Sequence, residues 1–257
     1  MKKFLKTAKD AALSAGEYLK GHFGKKHTVS YKGKIDLITE VDKKSEDIIS
    51  KIIRREFPDH ALVGEEGTSV ESGSGYRWFV DPLDGTTNFA HNFPVFCISI
   101  GLQKENEMIT GVVYAPVIGE LFYAAKGEGA YLGKKRLRVS KIKRIKESLL
   151  ATGFPYWIKD KKSNKVLKLF KDFVMRAQAV RRAGAAAYDL ASLAAGRFDG
   201  FWEEGLHPWD IAAGILIVKE AGGIFTDFKG GRLDLRGRDI LASNGLIHKE
   251  MINVINS

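Results

Sequence analysis

The chain has 257 residues, with 41 Lys and Arg against 31 Asp and Glu, for a formal net charge of +10. Hydrophobic residues at 44% and charged residues at 28%, with no low-complexity tract, exclude a disordered or fibrous chain and predict a globular unit with a large core. The lone cysteine, Cys97, excludes an internal disulfide framework and points to a reducing compartment.

In chain order, Phe4, Leu5, Ala8, Ala11, Ala12, Ala15 and Leu19 recur at helical spacing and predict an amphipathic first helix. Lys6, Lys9 and Asp10 interrupt any signal-peptide core, and no apolar run approaches membrane-span length. A cytoplasmic protein with no membrane partner is therefore expected. A second helix runs from Asp42 to Phe57, burying Ile48, Ile49, Ile52 and Ile53 and stopping before Pro58. The period then changes. Ala61-Leu62-Val63 and Trp78-Phe79-Val80 read as short strands, each running directly into acids, Glu65-Glu66 after the first and Asp81 after the second. Residues 96–102, 108–114 and 120–125 read as antiparallel strands joined by turns at Glu105-Asn106 and at 116–119. A strand at 148–152 and a lysine-rich helix at 162–175 follow. The last third predicts a helix at 185–195 closed by Gly196, a strand at 198–203, a helix at 208–221 with Pro208 in its first turn, and strands at 224–228 and 240–242. No Pro/Gly/Ser linker divides the chain, so residues 1–257 are expected to form one unit of two packed α/β halves meeting near 140–150.

The charge is unevenly placed. It nets +5 over residues 1–60, −6 over 61–125, +14 over 126–182 and −3 over 183–257. An acidic block inside a basic chain suggests carboxylates that a metal ion neutralises. The centre of that block is Trp78-Phe79-Val80-Asp81-Pro82-Leu83-Asp84-Gly85-Thr86-Thr87-Asn88. Two carboxylates three residues apart at a strand end can converge on one hard cation, with the Leu83 carbonyl between them. Gly85-Thr86-Thr87 then opens a short helix whose free N–H groups suit a phosphate. A capped turn alone would need neither the second carboxylate nor the apolar strand before it. Val63-Gly64-Glu65-Glu66-Gly67 and His207-Pro208-Trp209-Asp210 supply further acids at element ends.

Together, Gly64-Glu65-Glu66, Asp81-Pro82-Leu83-Asp84-Gly85-Thr86-Thr87-Asn88 and Trp209-Asp210 resemble the inositol monophosphatase family of magnesium-dependent, lithium-sensitive phosphatases. Asp36-Leu37-Ile38-Thr39-Glu40-Val41-Asp42, Gly111-Val112-Val113-Tyr114 and Glu220-Ala221-Gly222-Gly223 extend the likeness to nearly the whole chain. The resemblance implies an α/β (α+β) fold, a layered α-β-α-β-α sandwich of the sugar-phosphatase type, and a homodimer. It implies a phosphate monoester hydrolase acting on a small phosphorylated alcohol or sugar, foremost inositol 1-phosphate, with two to three Mg²⁺ per subunit and Mn²⁺ as an alternative cation. Carried over residue by residue, one Mg²⁺ falls to Glu65, Asp81 and the Leu83 carbonyl, a second to Asp81, Asp84 and Asp210, and a third to Glu65 and waters. Thr86, oriented by Asp42, helps activate the attacking water. Asp84, Gly85, Thr86, Gly184, Ala185, Ala186 and Glu203 line the substrate. Lys32 matches a family lysine only across a one-residue gap.

Three alternatives accompany this reading. Asp81 and Asp84 also resemble the aspartates of haloacid dehalogenase-type phosphatases, but those have one intervening residue and this chain has two, which favours direct water attack without a phosphoenzyme. Fructose 1,6-bisphosphate, 3′-phosphoadenosine 5′-phosphate or NADP could be substrates, with Arg181, Arg182 and lysines 159–171 holding a second phosphate. The basic 134–182 segment could instead bind RNA or a transcription complex, although no nucleic-acid motif or aromatic stacking platform accompanies it. The six histidines form no metal pair, Cys97 lies in an apolar strand, and Gly127-Glu128-Gly129 reads as a turn.

Overall fold

Alanines 8, 11, 12 and 15 give the first helix, α1 (Lys2–His22), a smooth and fully buried face. The computed structural model describes residues 1–25, 29–31, 37–155, 164–237 and 239–257. α1 lies beside α2 (Glu40–Glu56), which starts two residues before the sequence predicts and buries Ile49 and Ile53 one turn apart, with Ile48 and Ile52 half-buried. The strands β1 (Val29–Tyr31) and β2 (Leu37–Thr39) pair antiparallel as a separate ribbon.

The first large sheet comprises β3 (Ala61–Gly64), β4 (Ser69–Val70), β5 (Tyr76–Asp84), β6 (Cys97–Lys104), β7 (Glu107–Ala115), β8 (Glu120–Ala125), β9 (Gly129–Leu132) and β10 (Lys135–Arg136). Its order is β10-β9-β8-β7-β6-β5-β3-β4, and only β3 and β5 run parallel. The short helix α3 (Thr86–Ala90) follows β5. The second sheet holds β11 (Leu149–Thr152), β12 (Ala179–Arg181), β13 (Gly200–Glu204), β14 (Ile224–Thr226) and β15 (Asp239–Ser243) in the order β12-β11-β13-β15-β14. The remaining helices are α4 (Asn164–Val174), α5 (Ala186–Ala194), α6 (Pro208–Glu220) and α7 (His248–Ile255).

Three apolar clusters separate five layers, in agreement with the expected α-β-α-β-α sandwich. α1 and α2 cover one face of the first sheet, α5 and α6 lie between the sheets, and α4 and α7 cover the far face of the second. The strands and the helices α5 and α6 match their sequence expectations to within two residues at most ends. Seven of these elements were not legible. β1, β2 and β4 have only two or three residues each. β9 and β10 are too short to show a period, β12 has three residues, and α7 signals only through Ile247, Met251 and Val254. Among the described residues no helix is long and apolar enough to cross a membrane.

α6 packs close because Gly101 and Gly111 face each other across β6 and β7, where a Cβ on either would strike Ala212 or Ala213. Ser99 Oγ also donates to the Trp209 carbonyl at 3.0 Å. These contacts hold the N-terminus of α6, and so Asp210, near the end of β5.

α7 is fastened by a buried histidine. Thr226 Oγ1 donates to the Asp227 carbonyl at 2.7 Å, so its contact with His248 Nε2 at 3.0 Å makes Nε2 the protonated nitrogen. Ser243 Oγ then donates to Nδ1 at 2.9 Å and accepts from the Gly245 N–H at 3.0 Å. Burial holds the His248 pKa below its ordinary 6.5. The unfolded chain therefore takes up this proton first, and stability falls as pH drops through 6.5. His248→Gln keeps one donor and one acceptor but does not titrate. The parent should lose more urea stability than His248→Gln as pH falls from about 7 to about 5; equal losses would show that His248 is not the group responsible.

Candidate functional site

The parallel pairing of β3 with β5 aligns Gly64 with Val80, so both strands end side by side. The Glu65 N–H donates to the Val80 carbonyl at 3.1 Å, which sets Glu65 next to Asp81. β5 continues through Pro82-Leu83 with an irregularity in its pairing with β6 between Asp81 and Asp84. Asp81 Oδ1 accepts from the Leu83 N–H at 3.0 Å. α2 reaches the same turn, where Ser45 Oγ donates to the Pro82 carbonyl at 2.9 Å. Thr86 Oγ1 lies 3.0 Å from Asp42 Oδ1 and 3.2 Å from the Leu83 carbonyl, and both Asp42 and Thr86 are buried.

The second half closes over this turn. Asp84 Oδ2 accepts from the Ala187 N–H at the start of α5 at 2.7 Å, and the Cys97 thiol lies 3.6 Å from the same oxygen. Asn88 Nδ2 donates to the carbonyls of Val95 at 2.6 Å and Ala183 at 2.8 Å, stapling the Gly184-Ala185-Ala186 segment to α3. Gly85, the N-cap of α3, has φ +93° and sits against the Gly184 carbonyl. A side chain there would meet both backbone strain and backbone atoms. Asp210 Oδ2 accepts from the His207 N–H at 2.7 Å and closes a capping box on α6.

The electrostatics are those of carboxylates drawn into one low-dielectric space. Asp81 is 2% exposed. Burial holds its pKa well above 3.8, and the charges of Glu65, Asp84 and Asp210 raise it further, as does a hydrogen bond with Glu65. Asp84 is pushed up to about 7 by burial and by Glu65, against the pull of the Ala187 and Ala186 N–H groups and the Cys97 thiol. Glu203, at the end of β13, is held well above 4.5 by burial, then by Asp189, Asp210 and Asp84, while Arg182 pulls it down. Among the described residues no three His, Cys, Asp or Glu side chains close into a ready cage. What the site offers is a set of hard oxygens whose mutual repulsion a divalent cation would relieve, and Glu65, Asp81, Asp84, Asp210 and the Leu83 carbonyl could hold one.

The named residues on described elements thus gather around two adjoining regions, the acidic turn and the Gly184-to-Glu203 side. Lys32, Asp36 and lysines 159, 161 and 162 lie outside the described residues. Arg181 and Arg182 part company, since Arg181 Nη1 donates to the Val180 carbonyl at 3.1 Å while Arg182 acts on Asp189 and Glu203. Sequence reasoning missed Asp189, which is 1% exposed and whose Oδ1 has no hydrogen-bond partner among the described residues. An acid in a first helical turn reads as an ordinary dipole residue, and this one gave no other signal. It also missed Glu46, although Glu46 lies one turn after Asp42 on the buried face of α2.

A family model described as the inositol monophosphatase family matches residues 1–257. The chain is 44% identical over 257 residues to the fructose-1,6-bisphosphatase/inositol-1-monophosphatase of Aquifex aeolicus, covering 99% of this chain and 96% of that protein. It is 42% identical to the Nus factor SuhB of Pseudomonas aeruginosa, covering 99% and 96%. The crystal structure of the extragenic suppressor protein suhB from Bartonella henselae superposes with a TM-score of 0.95 at 38% identity, covering 99% of each chain.

The carboxylate at position 84 carries a testable cost. Its folded pKa of about 7 lies above the ordinary 3.8, so the folded state holds the proton longer and stability falls as pH rises between those values. With divalent cations chelated, Asp84→Asn should unfold at higher temperature than the parent at about pH 8, by roughly 2–4 °C per kcal/mol relieved in a chain of this size. The gap should close as pH falls toward 3.8. An Asn variant no more stable than the parent at the higher pH would show that the charge is not strained.

Proposed function

The chain belongs to the inositol monophosphatase family and is a phosphatase-type hydrolase, and on that basis we propose a Mg²⁺-dependent phosphate monoester hydrolase with inositol 1-phosphate as its leading substrate. The observation that carries this reading is the convergence of Glu65, Asp84 and Asp210 on the buried Asp81. Residues 1–257 form one catalytic unit, with its two halves meeting near 140–150. Glu65, Asp81 and the Leu83 carbonyl would hold one cation, and Asp81, Asp84 and Asp210 a second; Glu65 would also face a weaker third. Bound Mg²⁺ supplies Lewis-acid chemistry, acidifying a water and neutralising charge on the phosphoryl group.

The chain's own groups do the rest. Thr86 Oγ1 accepts a proton from the attacking water as it passes its own to Asp42 Oδ1, 3.0 Å away. The first N–H groups of α3, at Gly85 and Thr86, face the phosphoryl oxygens. Asp84, the Gly184-Ala185-Ala186 backbone and Glu203 bind the alcohol's hydroxyls. Water attacks phosphorus directly, with no phosphoenzyme: its oxygen forms the new P–O bond as the ester P–O bond to the alcohol breaks, and the departing alcohol oxygen takes a proton from solvent. Mn²⁺ can replace Mg²⁺, Li⁺ inhibits, and the enzyme works in the cytoplasm as a homodimer.

A bisphosphate reading has specific support in Arg182, whose charge acts on Glu203, and in the printed name of the Aquifex relative. Arg182 is the member of the arginine pair suited to a second phosphate, because Arg181 turns to its own backbone. A role with RNA or a transcription complex rests on the names of relatives such as the Pseudomonas Nus factor and on the basic 134–182 segment.

Kinetics on a substrate panel test the assignment. In Mg²⁺ the parent should hydrolyse inositol 1-phosphate with the highest kcat/KM, fructose 1,6-bisphosphate measurably, and 3′-phosphoadenosine 5′-phosphate and NADP less. Asp84→Asn and Asp210→Asn should each lower kcat at least about a hundredfold, beyond the usual loss for an outer-shell partner. Arg182→Ala should depress the bisphosphate ratio alone. Near-normal turnover in either Asn variant would refute the ligand assignment.

A further inference from the structure

Glu46 is 3% exposed and commits both carboxylate oxygens to the loop that carries Glu65. Oε2 accepts from the Glu66 N–H at 2.8 Å and Oε1 from the Thr68 N–H at 2.9 Å. The same carboxylate occupies the space beside Gly64 that a Cβ would need, so it braces the backbone before Glu65 as well as after it. The Glu65 N–H is meanwhile taken by the Val80 carbonyl, and Gly64 donates to the Thr68 carbonyl at 2.8 Å. Glu65 is therefore fixed between α2 and β5, the elements that carry Asp42 and Asp81. Charge-assisted bonds from a buried carboxylate to two N–H groups are a stiff brace, and groups that orient ligands from behind set how well they bind.

We propose that Glu46 is a positioning residue for the acidic centre: by holding the backbone on both sides of Glu65 it sets that carboxylate against Asp81 and so fixes the affinity for a divalent cation, without touching cation or substrate. The inference rests on the reading of Glu65 as a ligand. An internal control exists. Glu220 makes the same two-pronged bond, to the N–H groups of Gly127 at 2.8 Å and Gly129 at 2.9 Å. It lies ten residues beyond Asp210 on α6, about 15 Å along the helix at 1.5 Å per residue.

The test measures Mn²⁺ binding to the substrate-free protein by electron paramagnetic resonance, with a melting temperature for each variant. Glu65→Gln should weaken Mn²⁺ binding. Glu46→Gln should raise the Kd about 10–100-fold, the range for an outer-shell partner, while Glu220→Gln loses comparable stability at unchanged Kd. At saturating Mn²⁺, Glu46→Gln should keep its substrate KM within about twofold and recover most of its kcat, since the defect lies in cation loading. Glu46→Asp, which can reach only one of the two N–H groups, should fall between, and it reads the same quantity if the Gln variant does not fold. Parental Kd in a folded Glu46 variant, with Glu65→Gln impaired, overturns the positioning role alone. Parental Kd in Glu65→Gln overturns the ligand reading beneath it.

Discussion

Like charge confined in a small buried space is the constraint around which this molecule is organised. Parallel pairing of β3 with β5 puts Glu65 beside Asp81, the irregular end of β5 adds Asp84, and the close seat of α6 on Gly101 and Gly111 adds Asp210. Left to themselves these carboxylates are short of solvent and repel one another, and the raised pKa values of Asp81 and Asp84 express burial first and that repulsion second. Backbone N–H groups of Leu83, Ala187 and His207 hold individual oxygens in place but supply no full positive charge. The proposed cations would complete the arrangement, and a stability deficit in their absence is its expected counterpart. Sites that concentrate strain in this way are common where activity is built at the expense of stability.

The surrounding polar bonds divide into two kinds. Some fasten scaffold to scaffold far from the acids, such as Glu220 on the 127–129 turn and His248 between β14, β15 and α7. Others run from an element of the scaffold into the acidic turn, as Ser45 does to Pro82, Thr86 to Asp42, and Glu46 to the Glu65 loop. The second kind comes largely from one face of α2. That helix thus serves as both a wall of the core, through Ile49 and Ile53, and the back of the site.

Much of this was legible in the residues. The Asp81-to-Thr86 run announced itself because two acids and a Gly-Thr turn at the end of an apolar strand satisfy no simpler structural need. Helical alanine spacing placed α1, and the switch to short apolar runs placed β3 and β5. What stayed hidden had a physical reason in each case. Glu46 looks like any charged helical residue until the 64–68 loop folds back onto it, a contact made across 20 residues of sequence. Asp189 carries the bland signature of a first-turn acid, although the fold buries it beside Glu203. β10 has two residues and depends on β9 for its pairing, so no period existed to be read. The +10 net charge pointed toward a polyanionic partner, yet it averages a basic 126–182 segment with the acidic one that builds the site.

The most direct measurement is anomalous diffraction from crystals soaked in Mn²⁺. Density peaks in contact with the Asp81 carboxylate, one shared with Glu65 and the Leu83 carbonyl and another with Asp84 and Asp210, are the expected result. Saturating Mn²⁺ with no peak at Asp81, or peaks only at surface carboxylates elsewhere, would contradict the central claim that these acids are gathered around the buried Asp81 to hold divalent cations.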